Sequence, residues 1–235
     1  MNTLLLWLQS LFFPPLCLLC REESIDDGEC MCAKCREQCH ENKAPHCKSC
    51  GGLNDGLLEV CSQCSGIKRY WDRGFSIWKF KGGGREFVHA LKYKGRVEVI
   101  HFLASEMQRC LPQGNSLDYD LITFVPLHYL KKFLRGFNQS ELIAKRLSLL
   151  LNLPCKKVVN RVKFARQQAM LSREERQKNI RNIFKMKKMA TSLVKGKHIL
   201  LVDDVLTTGS TFNEVAKQLK MSGAASITII SIARG

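Results

Sequence analysis

The sequence contains no apolar run of membrane-spanning length, no internal repeat and no low-complexity tract. Its first twenty residues carry no charge, which could suggest an export signal. No Lys or Arg precedes their apolar stretch, however, no small-x-small cleavage site follows it, and Pro14-Pro15 interrupts it. We therefore expect a short helix packed on the protein body, no membrane span, and a cytoplasmic protein.

Acidic residues are scarce in one long segment of the chain. The segment 128–197 contains 19 of the 37 Lys and Arg residues but only 3 of the 21 acidic residues, so its net charge is +16. The rest of the chain contains 18 of each sign and is neutral. Such a field favours polyanions, which include nucleic acid, a membrane surface and phosphorylated small molecules. A solvated basic surface is the alternative interpretation.

Cysteine, by contrast, is abundant near the N-terminus, where ten of the twelve cysteines lie between Cys17 and Cys64. Eight of them form four C-x-x-C pairs: Cys17 and Cys20, Cys32 and Cys35, Cys47 and Cys50, and Cys61 and Cys64. One such pair directs two thiolates at a tetrahedral ion, and two pairs complete a zinc site. The spacing therefore predicts two zinc ribbons. A disulfide framework would need an oxidising compartment, which nothing else in the sequence supports.

The assignment of these cysteines to the two sites has more than one solution. Sequential pairing would join the first four and the last four, whereas a cross-braced arrangement or the loss of one metal would change the ligand sets. Cys30 and Cys39 add ambiguity to the first site. In the second site, Gly51-Gly52 directly after Cys50 supplies the turn freedom that a zinc knuckle requires.

Apolar runs alternate with helical patterns along the rest of the chain, which predicts an α/β fold. Strands are expected at 74–80, 121–125, 199–202 and 226–233, with a short one at 156–160, and helices at 85–94, 97–110, 139–151 and 212–221. Because strands and helices alternate, the sheet should be mostly parallel, with ligands at the C-terminal strand ends. We expect a small cysteine-rich domain over residues 1–70 and an α/β domain over residues 71–235.

The segment 198–211, HILLVDDVLTTGST, contains the strongest binding signal. An apolar run ends in two carboxylates, Asp203 and Asp204, and a turn rich in hydroxyls and glycine follows, Thr207-Thr208-Gly209-Ser210-Thr211. At a helix N-terminus this turn would offer backbone N–H groups to a phosphate, while the carboxylates could accept hydrogen bonds from vicinal ribose hydroxyls. The alternative is an ordinary strand–turn–helix with capping Thr and Ser residues. The pattern favours a sugar-phosphate site.

This pattern resembles the signature with which type I phosphoribosyltransferases bind phosphoribosyl pyrophosphate (PRPP), where two acidic residues precede a TTG-type loop. Two further segments are FVPLHYLKKFLRGFNQSELIA at 124–144 and RQQAMLSREERQKNIRNIF at 166–184. The second keeps a Q-x-x-L-x-x-x-x-R-x-x-N spacing that ends in Phe. Together with the cysteine pairs, these segments resemble the ComF family, which includes ComFC-like and GntX-like proteins, over essentially the whole chain.

The resemblance implies a zinc-ribbon domain joined to a type I phosphoribosyltransferase fold, in a protein that acts on incoming single-stranded DNA during natural transformation. It also implies that Asp203 and Asp204, the candidate catalytic residues, bind the ribose hydroxyls of PRPP. The 5′-phosphate would lie against Thr207, Thr208, Gly209, Ser210 and Thr211, and the pyrophosphate, with Mg²⁺, near the turn after Pro126. Residues 166–176 would form a loop that closes over PRPP.

Two kinds of function are compatible with these residues. A DNA-processing factor would hold single-stranded DNA on the basic segment and would dock a partner such as a ComFA-like helicase through its ribbons. Its candidate DNA contacts are Lys131, Lys132, Arg135, Arg166, Arg173 and Arg176, with Phe133, Phe137 and Phe164 as candidate stacking residues.

An active phosphoribosyltransferase would instead modify an acceptor that the sequence does not identify. The intact acidic pair favours this function, because two carboxylates would repel a polyanion unless Mg²⁺ or ribose hydroxyls engaged them. A combined function, with PRPP in the pocket and DNA on the surface outside it, is also compatible. A purely structural zinc-ribbon adaptor would leave the PRPP signature unexplained.

Overall fold

The computed structural model describes residues 16–25, 30–42, 45–112, 119–163 and 182–235. The described residues of its cysteine-rich part include a short helix, α1 (Ala33–Glu37), among tight turns. Two isolated bridges, Leu16 to Ser24 and His46 to Leu53, each close a loop that carries one C-x-x-C pair. Within the residues just given, no helix combines the length and the apolar character that a membrane span requires.

The remainder of the chain alternates strands and helices, which confirms the predicted α/β class. In chain order the elements are β1 (Arg73–Lys79), α2 (Gly82–Tyr93), a 3-10 turn (Val97–Val99), α3 (Ile100–Cys110), β2 (Leu121–Phe124), α4 (Tyr129–Arg135), α5 (Gln139–Leu151), β3 (Val159–Arg161), β4 (Phe184–Met186), a second 3-10 turn (Lys188–Ala190), α6 (Thr191–Val194), β5 (His198–Leu206), α7 (Ser210–Met221) and β6 (Ser226–Arg234).

Four of the strands form one parallel sheet in the order β1-β6-β5-β2. The central strand β5 pairs with β2 from Ile199 to Val202, and with β6 along its whole length to Leu206. β3 and β4 form a separate antiparallel ribbon. The parallel sheet confirms the prediction, and the central position of β5 and β6 accounts for their nearly continuous apolar sequences, because such strands are covered on both faces.

The two faces of the sheet bury alternate residues of each strand. On one face, Leu200 and Val202 pack in a core that also contains buried residues of α2, α3 and α5. On the other face, Ile199 and Leu201 pack with the buried side of α7. Because side chains of a strand alternate between faces, the same four residues of β5 hold helices on both sides and fix the position of its C-terminal end.

Three predicted boundaries are corrected by the structure. β5 continues to Leu206, so the acidic pair lies inside the strand instead of following it, and α7 begins two residues before the predicted start. α2 begins at Gly82, three residues before the predicted start, so the glycines at 82–84 form its first turn. Two of these positions leave no room for a side chain, because other parts of the protein pack directly against the backbone. A Cβ at Gly83 would overlap Cys39 Sγ, and one at Gly84 would lie 2.6 Å from the Lys79 backbone oxygen.

The structure also contains elements that the sequence pattern did not predict. α4 is capped at its N-terminus by His128, whose side chain accepts a hydrogen bond from the Leu130 backbone N–H, and at its C-terminus by Gly136, which has a φ of 83°. No residue of α4 is buried. The short strand expected at 156–160 lies at 159–161 and pairs with the unpredicted β4, whereas Cys155 forms an isolated bridge with Ile122.

Candidate functional site

Asp203 and Asp204, here called the carboxylate pair, are held by side chains from two helices on the same face of the sheet. Asp204 is buried; its carboxylate forms an ion pair with Lys92 Nζ at 2.8 Å and accepts a hydrogen bond from Gln139 Nε2. Asp203 accepts hydrogen bonds from Ser140 Oγ at 2.7 Å and from the Asp204 backbone N–H at 2.9 Å. Both carboxylates are therefore fixed before any ligand arrives.

The environment of Asp203 alters its protonation chemistry. Burial, followed by the charge of the neighbouring Asp204, raises the pKa of Asp203 to about 7, although the hydrogen bond from Ser140 acts in the opposite direction. Asp203 consequently changes its charge close to neutral pH. Adjacent carboxyl groups of this kind titrate as a pair, so the site carries a variable negative charge under ordinary conditions.

The start of α5 explains how the chain positions the carboxylate pair. Asn138 caps this helix by accepting a hydrogen bond from the Ser140 N–H, and its amide donates to the Val125 oxygen at 3.1 Å. The helix is thereby attached to the end of β2, next to the buried Pro126. Its first two side chains, Gln139 and Ser140, then face the carboxylates. The RGFNQ segment, residues 135–139, therefore positions the side chains that hold the carboxylate pair.

Residues 207–211, here called the phosphate loop, connect β5 to α7. Gly209 has a φ of 77° and precedes the first residue of the helix. The Thr208 and Ser210 hydroxyl groups are hydrogen-bonded to each other at 2.8 Å, and the Ser210 N–H donates to Thr208 Oγ1. A hydroxyl-rich turn at the N-terminus of a twelve-residue helix has the donors and the partial positive charge that bind a phosphate group.

Lys92 and Arg161 interact with the carboxylate pair, and Lys131 lies close to both of them and to Arg135. Burial lowers the pKa of Lys131, and the charges of Arg161, Arg135 and Lys92 lower it further. Burial also lowers the pKa of Arg161, whereas the Asp203 carboxylate raises it. Arg161 packs over the Phe184 ring at 5.6 Å, and its buried Nε has no hydrogen-bond partner within the described part of the chain. These mutually repelling cations favour an anionic ligand.

The predicted metal ligands form two compact groups in the sequential arrangement. The first cysteine cluster consists of Cys17, Cys20, Cys32 and Cys35, and the second consists of Cys47, Cys50, Cys61 and Cys64; the sulfur atoms of each lie within 4.8 Å of one another. Cys30 and Cys39 belong to neither cluster of described residues. Burial raises the pKa of Cys39 to about 12, which is typical of an unreactive core thiol.

The geometry of the clusters fits zinc better than disulfides. Cys50 Sγ and Cys61 Sγ are 3.9 Å apart. Thiolates at about 2.3 Å from a tetrahedral Zn²⁺ would lie about 3.8 Å from each other, whereas disulfide sulfurs are about 2.05 Å apart. Backbone N–H groups of Gly52 and Cys61 also point at sulfur atoms of Cys50 and Cys47, at 3.4 and 3.3 Å. Such N–H contacts support thiolate ligands.

The structure places only part of the predicted DNA contacts. Lys131, Lys132 and Arg135 lie together on α4, where Lys132 Nζ is 3.1 Å from a Glu141 carboxylate oxygen. The remaining contacts lie outside the described residues, as do Phe164 and the loop expected to close over PRPP: Arg166, Arg173, Arg176 and the segment 166–176. Of the candidate stacking residues, Phe133 is 85% exposed and Phe137 is partly buried.

Sequence reasoning missed several residues of the site. Gln139 is the last residue of the RGFNQ motif at 135–139 and Ser140 follows it directly, so the sequence contained a signal for both. Lys92 and Arg161 have no such local signal, because they come from segments that only the fold brings next to the carboxylate pair.

A parallel sheet whose central strand carries two carboxylates and continues into a phosphate loop at a helix N-terminus defines a type I phosphoribosyltransferase fold, here with an N-terminal cysteine-rich ribbon region. The comparisons with known proteins agree. The phosphoribosyl transferase domain model matches residues 136–235, and the double zinc ribbon domain model matches residues 8–65.

Relatives extend this match to nearly the whole chain. The DNA utilization protein YhgH of Escherichia coli strain K12 is 30% identical over 233 residues, covering 94% of this chain and 97% of the relative. Competence protein F of Haemophilus influenzae is 27% identical over 95% of this chain and 98% of its own length. Competence protein ComFC of Streptococcus pneumoniae is 25% identical over 89% and 90%. The chain belongs to the ComF family.

Proposed function

We propose that this protein is a ComFC-like competence protein that binds PRPP with Mg²⁺ in its pocket and single-stranded DNA on an adjacent surface, in the cytoplasm, during DNA uptake. The observation that carries the proposal is the carboxylate pair, which is fixed beside the phosphate loop near the C-terminal end of the central strand β5. The pair would bind the ribose hydroxyls, and the loop would bind the 5′-phosphate.

The surrounding cations support a ligand that carries several negative charges. Burial, followed by the charges of Arg161, Arg135 and Lys92, lowers the pKa of Lys131, so these cations lie close to the Lys131 ammonium group. Buried like charges cost free energy unless an opposite charge compensates them. The pyrophosphate group of PRPP would supply that charge on the side of the pocket that contains Pro126. Mg²⁺, held by carboxylate and phosphate oxygens, would complete the neutralisation.

The same pocket is poorly suited to a DNA strand. The carboxylate pair would repel a phosphodiester backbone, and DNA lacks the 2′-hydroxyl group that would engage the second carboxylate. The residues of α4 offer a better surface. Tyr129 and Phe133, one helical turn apart, are 69% and 85% exposed, and Lys131 and Lys132 lie between them in sequence. Exposed aromatic rings with neighbouring cations bind single strands by stacking and charge.

The names of the relatives support a role in DNA handling, since they are called competence and DNA utilization proteins. We further propose that each cysteine cluster holds one zinc ion. The ribbons would brace the fold and would offer a docking surface for a partner such as a ComFA-like helicase.

An active phosphoribosyltransferase is the second candidate. The observation that favours it is the intact carboxylate pair, with Asp203 poised to exchange a proton near neutral pH. Asp203 and Asp204 would then be catalytic residues that orient the ribose while pyrophosphate leaves. This candidate requires an acceptor nucleophile, which remains to be identified by product analysis.

A titration tests the proposal. The purified protein is titrated with PRPP and Mg²⁺, with and without a single-stranded oligonucleotide, and both affinities are measured. Simultaneous binding supports a pocket ligand and a separate DNA surface; mutual exclusion overturns the separate surface. Asp203→Ala with Asp204→Ala should abolish PRPP binding and retain oligonucleotide binding, whereas the exposed Asp72→Ala should change neither. Unchanged PRPP affinity in the double variant would show that the pocket is assigned wrongly.

A further inference from the structure

The second cysteine cluster is connected to the phosphate loop by the side chain of Arg69. Its Nη1 donates a hydrogen bond to the backbone oxygen of Thr208 at 3.0 Å, and its Nη2 donates to Cys64 Sγ at 4.0 Å. The guanidinium group therefore contacts a sulfur atom of the cluster on one side and a carbonyl group of the loop on the other.

Arg234, at the end of β6, makes a second connection of the same kind. Its Nη1 donates to the backbone oxygen of Thr207 at 3.1 Å, and its Nη2 donates to the Gln63 side chain between two cluster cysteines. The Arg234 side chain also lies beside the cluster, because a Cβ at Gly52 would be 3.3 Å from both Arg234 Cγ and Cys50 Sγ. Two arginines from distant parts of the chain thus join the cluster to consecutive loop carbonyls.

The packing around Arg69 leaves little freedom for other arrangements. Its guanidinium group stacks on Trp71, with 4.7 Å from Cζ to the ring centroid, and Trp71 Nε1 donates to the Ser49 oxygen at 2.7 Å. A Cβ at Gly209 would lie 2.5 Å from Arg69 Nη1 and 2.8 Å from the Trp71 ring. The loop is therefore in direct contact with the arginine and the tryptophan that cover the cluster.

The planarity of the peptide bond converts these contacts into loop shape. In a trans peptide unit the C=O and the following N–H point in opposite directions. Since the arginines hold the carbonyl groups of Thr207 and Thr208, the N–H groups of Thr208 and Gly209 point away from the cysteine cluster. Those N–H groups belong to the turn that would bind the 5′-phosphate.

We propose that the second cysteine cluster, with zinc bound, sets the shape of the phosphate loop through Arg69 and Arg234, so that zinc occupancy and PRPP affinity are coupled. Four thiolates around one Zn²⁺ leave a net negative charge, which the two guanidinium groups compensate. Loss of the metal would release the four sulfur atoms from their common centre and loosen the contacts of both arginines, whose buried Nε atoms lack hydrogen-bond partners among the described residues. The identification of the ligand as PRPP rests on the proposed function, whereas the effect of the cluster on the shape of the phosphate loop does not.

Two glutamine variants, Arg69→Gln and Arg234→Gln, test the inference against Arg73→Gln, an exposed arginine at the start of β1. Three quantities are measured: zinc content by elemental analysis, hydrogen exchange of the amides at 207–211, and PRPP affinity with Mg²⁺. We expect unchanged zinc, faster loop exchange and about a tenfold loss of PRPP affinity, in the usual range of coupling between sites, with the control like wild type. Wild-type loop exchange and affinity in zinc-replete variants would overturn the inference.

A measurement on the unaltered protein covers the case in which a variant does not fold. Coupling between two sites is reciprocal, so PRPP with Mg²⁺ should slow the release of zinc from the second cluster to a colorimetric chelator. An unchanged release rate at saturating PRPP would overturn the inference. If the wild-type protein binds no PRPP, the proposed function fails. The hydrogen exchange of the loop in zinc-loaded and chelated protein then decides the inference by itself: faster exchange after chelation supports it, and equal exchange overturns it.

Discussion

Asp203 and Asp204 are neighbours in the chain but have different environments. Asp204 contacts the cationic Lys92 and the Gln139 amide, whereas the hydrogen-bond donors to Asp203 are a hydroxyl group and a backbone N–H. A charged donor stabilises a carboxylate more than a neutral donor does. The pair therefore consists of one carboxylate neutralised by a cation and one whose charge depends on pH near neutrality.

The raised pKa of Asp203 predicts a pH dependence of stability in Mg²⁺-free buffer. Its folded pKa of about 7 exceeds the ordinary aspartate value of 3.8, so the folded state binds more protons between these values and stability falls as pH rises through this window. Asp203→Asn should remove that decline, which for one group has a maximum slope of about 1.4 kcal/mol per pH unit. Urea unfolding from pH 5 to pH 8 measures it.

A second carboxyl group provides the control. The pKa of Asp120 is lowered by a hydrogen bond from the His198 backbone and by Lys197. The stability that the Asp120 carboxylate contributes is present above its unfolded pKa and is lost only as pH falls through the lower folded pKa. Asp120→Asn should therefore leave the slope of stability against pH unchanged between pH 5 and pH 8. An equal slope in wild type and Asp203→Asn would contradict the assigned environment of Asp203.

Removal of the cation beside Asp204 should destabilise the protein. Lys92→Met leaves a buried carboxylate without its ion pair, and we expect a loss of roughly 2 kcal/mol, below the value for a fully buried pair because the Lys92 side chain keeps 22% exposure. Adding Asp204→Asn to Lys92→Met should restore part of that loss, because the uncompensated charge is then gone. Additive effects in this double-mutant cycle, measured by chemical denaturation, would contradict the coupling.

At the scale of secondary structure, the helices α4 and α5 differ in how far the sequence predicted them. The bounds of α5, Gln139–Leu151, agree with the prediction, because Asn138 caps a segment with apolar residues at helical spacing. α4 was missed because its apolar residues face solvent, so no amphipathic pattern marks a buried side. Its capping residue His128 and terminal Gly136 were the available signals.

The same distinction applies to the candidate site. The carboxylate pair and the phosphate loop are contiguous in sequence, so strand and turn chemistry predicted them together. Lys92 and Arg161 lie far from the pair in the chain, and only the tertiary fold brings their charges next to it. A single sequence contains no signal for such a long-range contact.

The exposed aromatic residue of α4 allows a sharp test of the DNA surface. Phe133→Ala should weaken binding of a single-stranded oligonucleotide by about 1–3 kcal/mol, the usual value for one stacked base. Leu134→Ala is the matched control, because Leu134 is 84% exposed and has no aromatic face. Fluorescence anisotropy at fixed salt measures both affinities. Equal effects of the two variants would mean that the helix contacts DNA without stacking, or not at all.

At the scale of the whole molecule, the cysteine clusters pack into the two cores that cover the sheet. Cys17 and Cys35 belong to the core that contains α2, α3 and α5, and Cys47, Cys50 and Cys64 belong to the core that contains α7. Metal bound in either cluster would therefore stabilise one face of the α/β fold as well as its own ribbon. The division of the chain at residue 70 stays a prediction.

Loss of ligands from the second cluster should affect the entire protein. Cys47→Ser with Cys50→Ser should remove one of two zinc ions and reduce the yield of soluble protein, since both cysteines are also core residues. Cys110→Ser is the control: Cys110 lies outside both clusters, so this variant should keep the zinc content of the wild-type protein. Elemental analysis of the purified variants decides; an unchanged metal content in the double variant would rule out the ribbon assignment.

The continuation of β5 through the carboxylate pair has a consequence for selectivity. A strand that is hydrogen-bonded to β6 as far as Leu206 cannot adjust its backbone to suit a different sugar without disturbing the sheet. The conformational entropy of the strand at the site was therefore lost during folding, and a ligand binds to a preorganised site whose dimensions are fixed. Such a site discriminates by shape mismatch, so ribose analogues with displaced hydroxyl groups should be rejected instead of being accommodated.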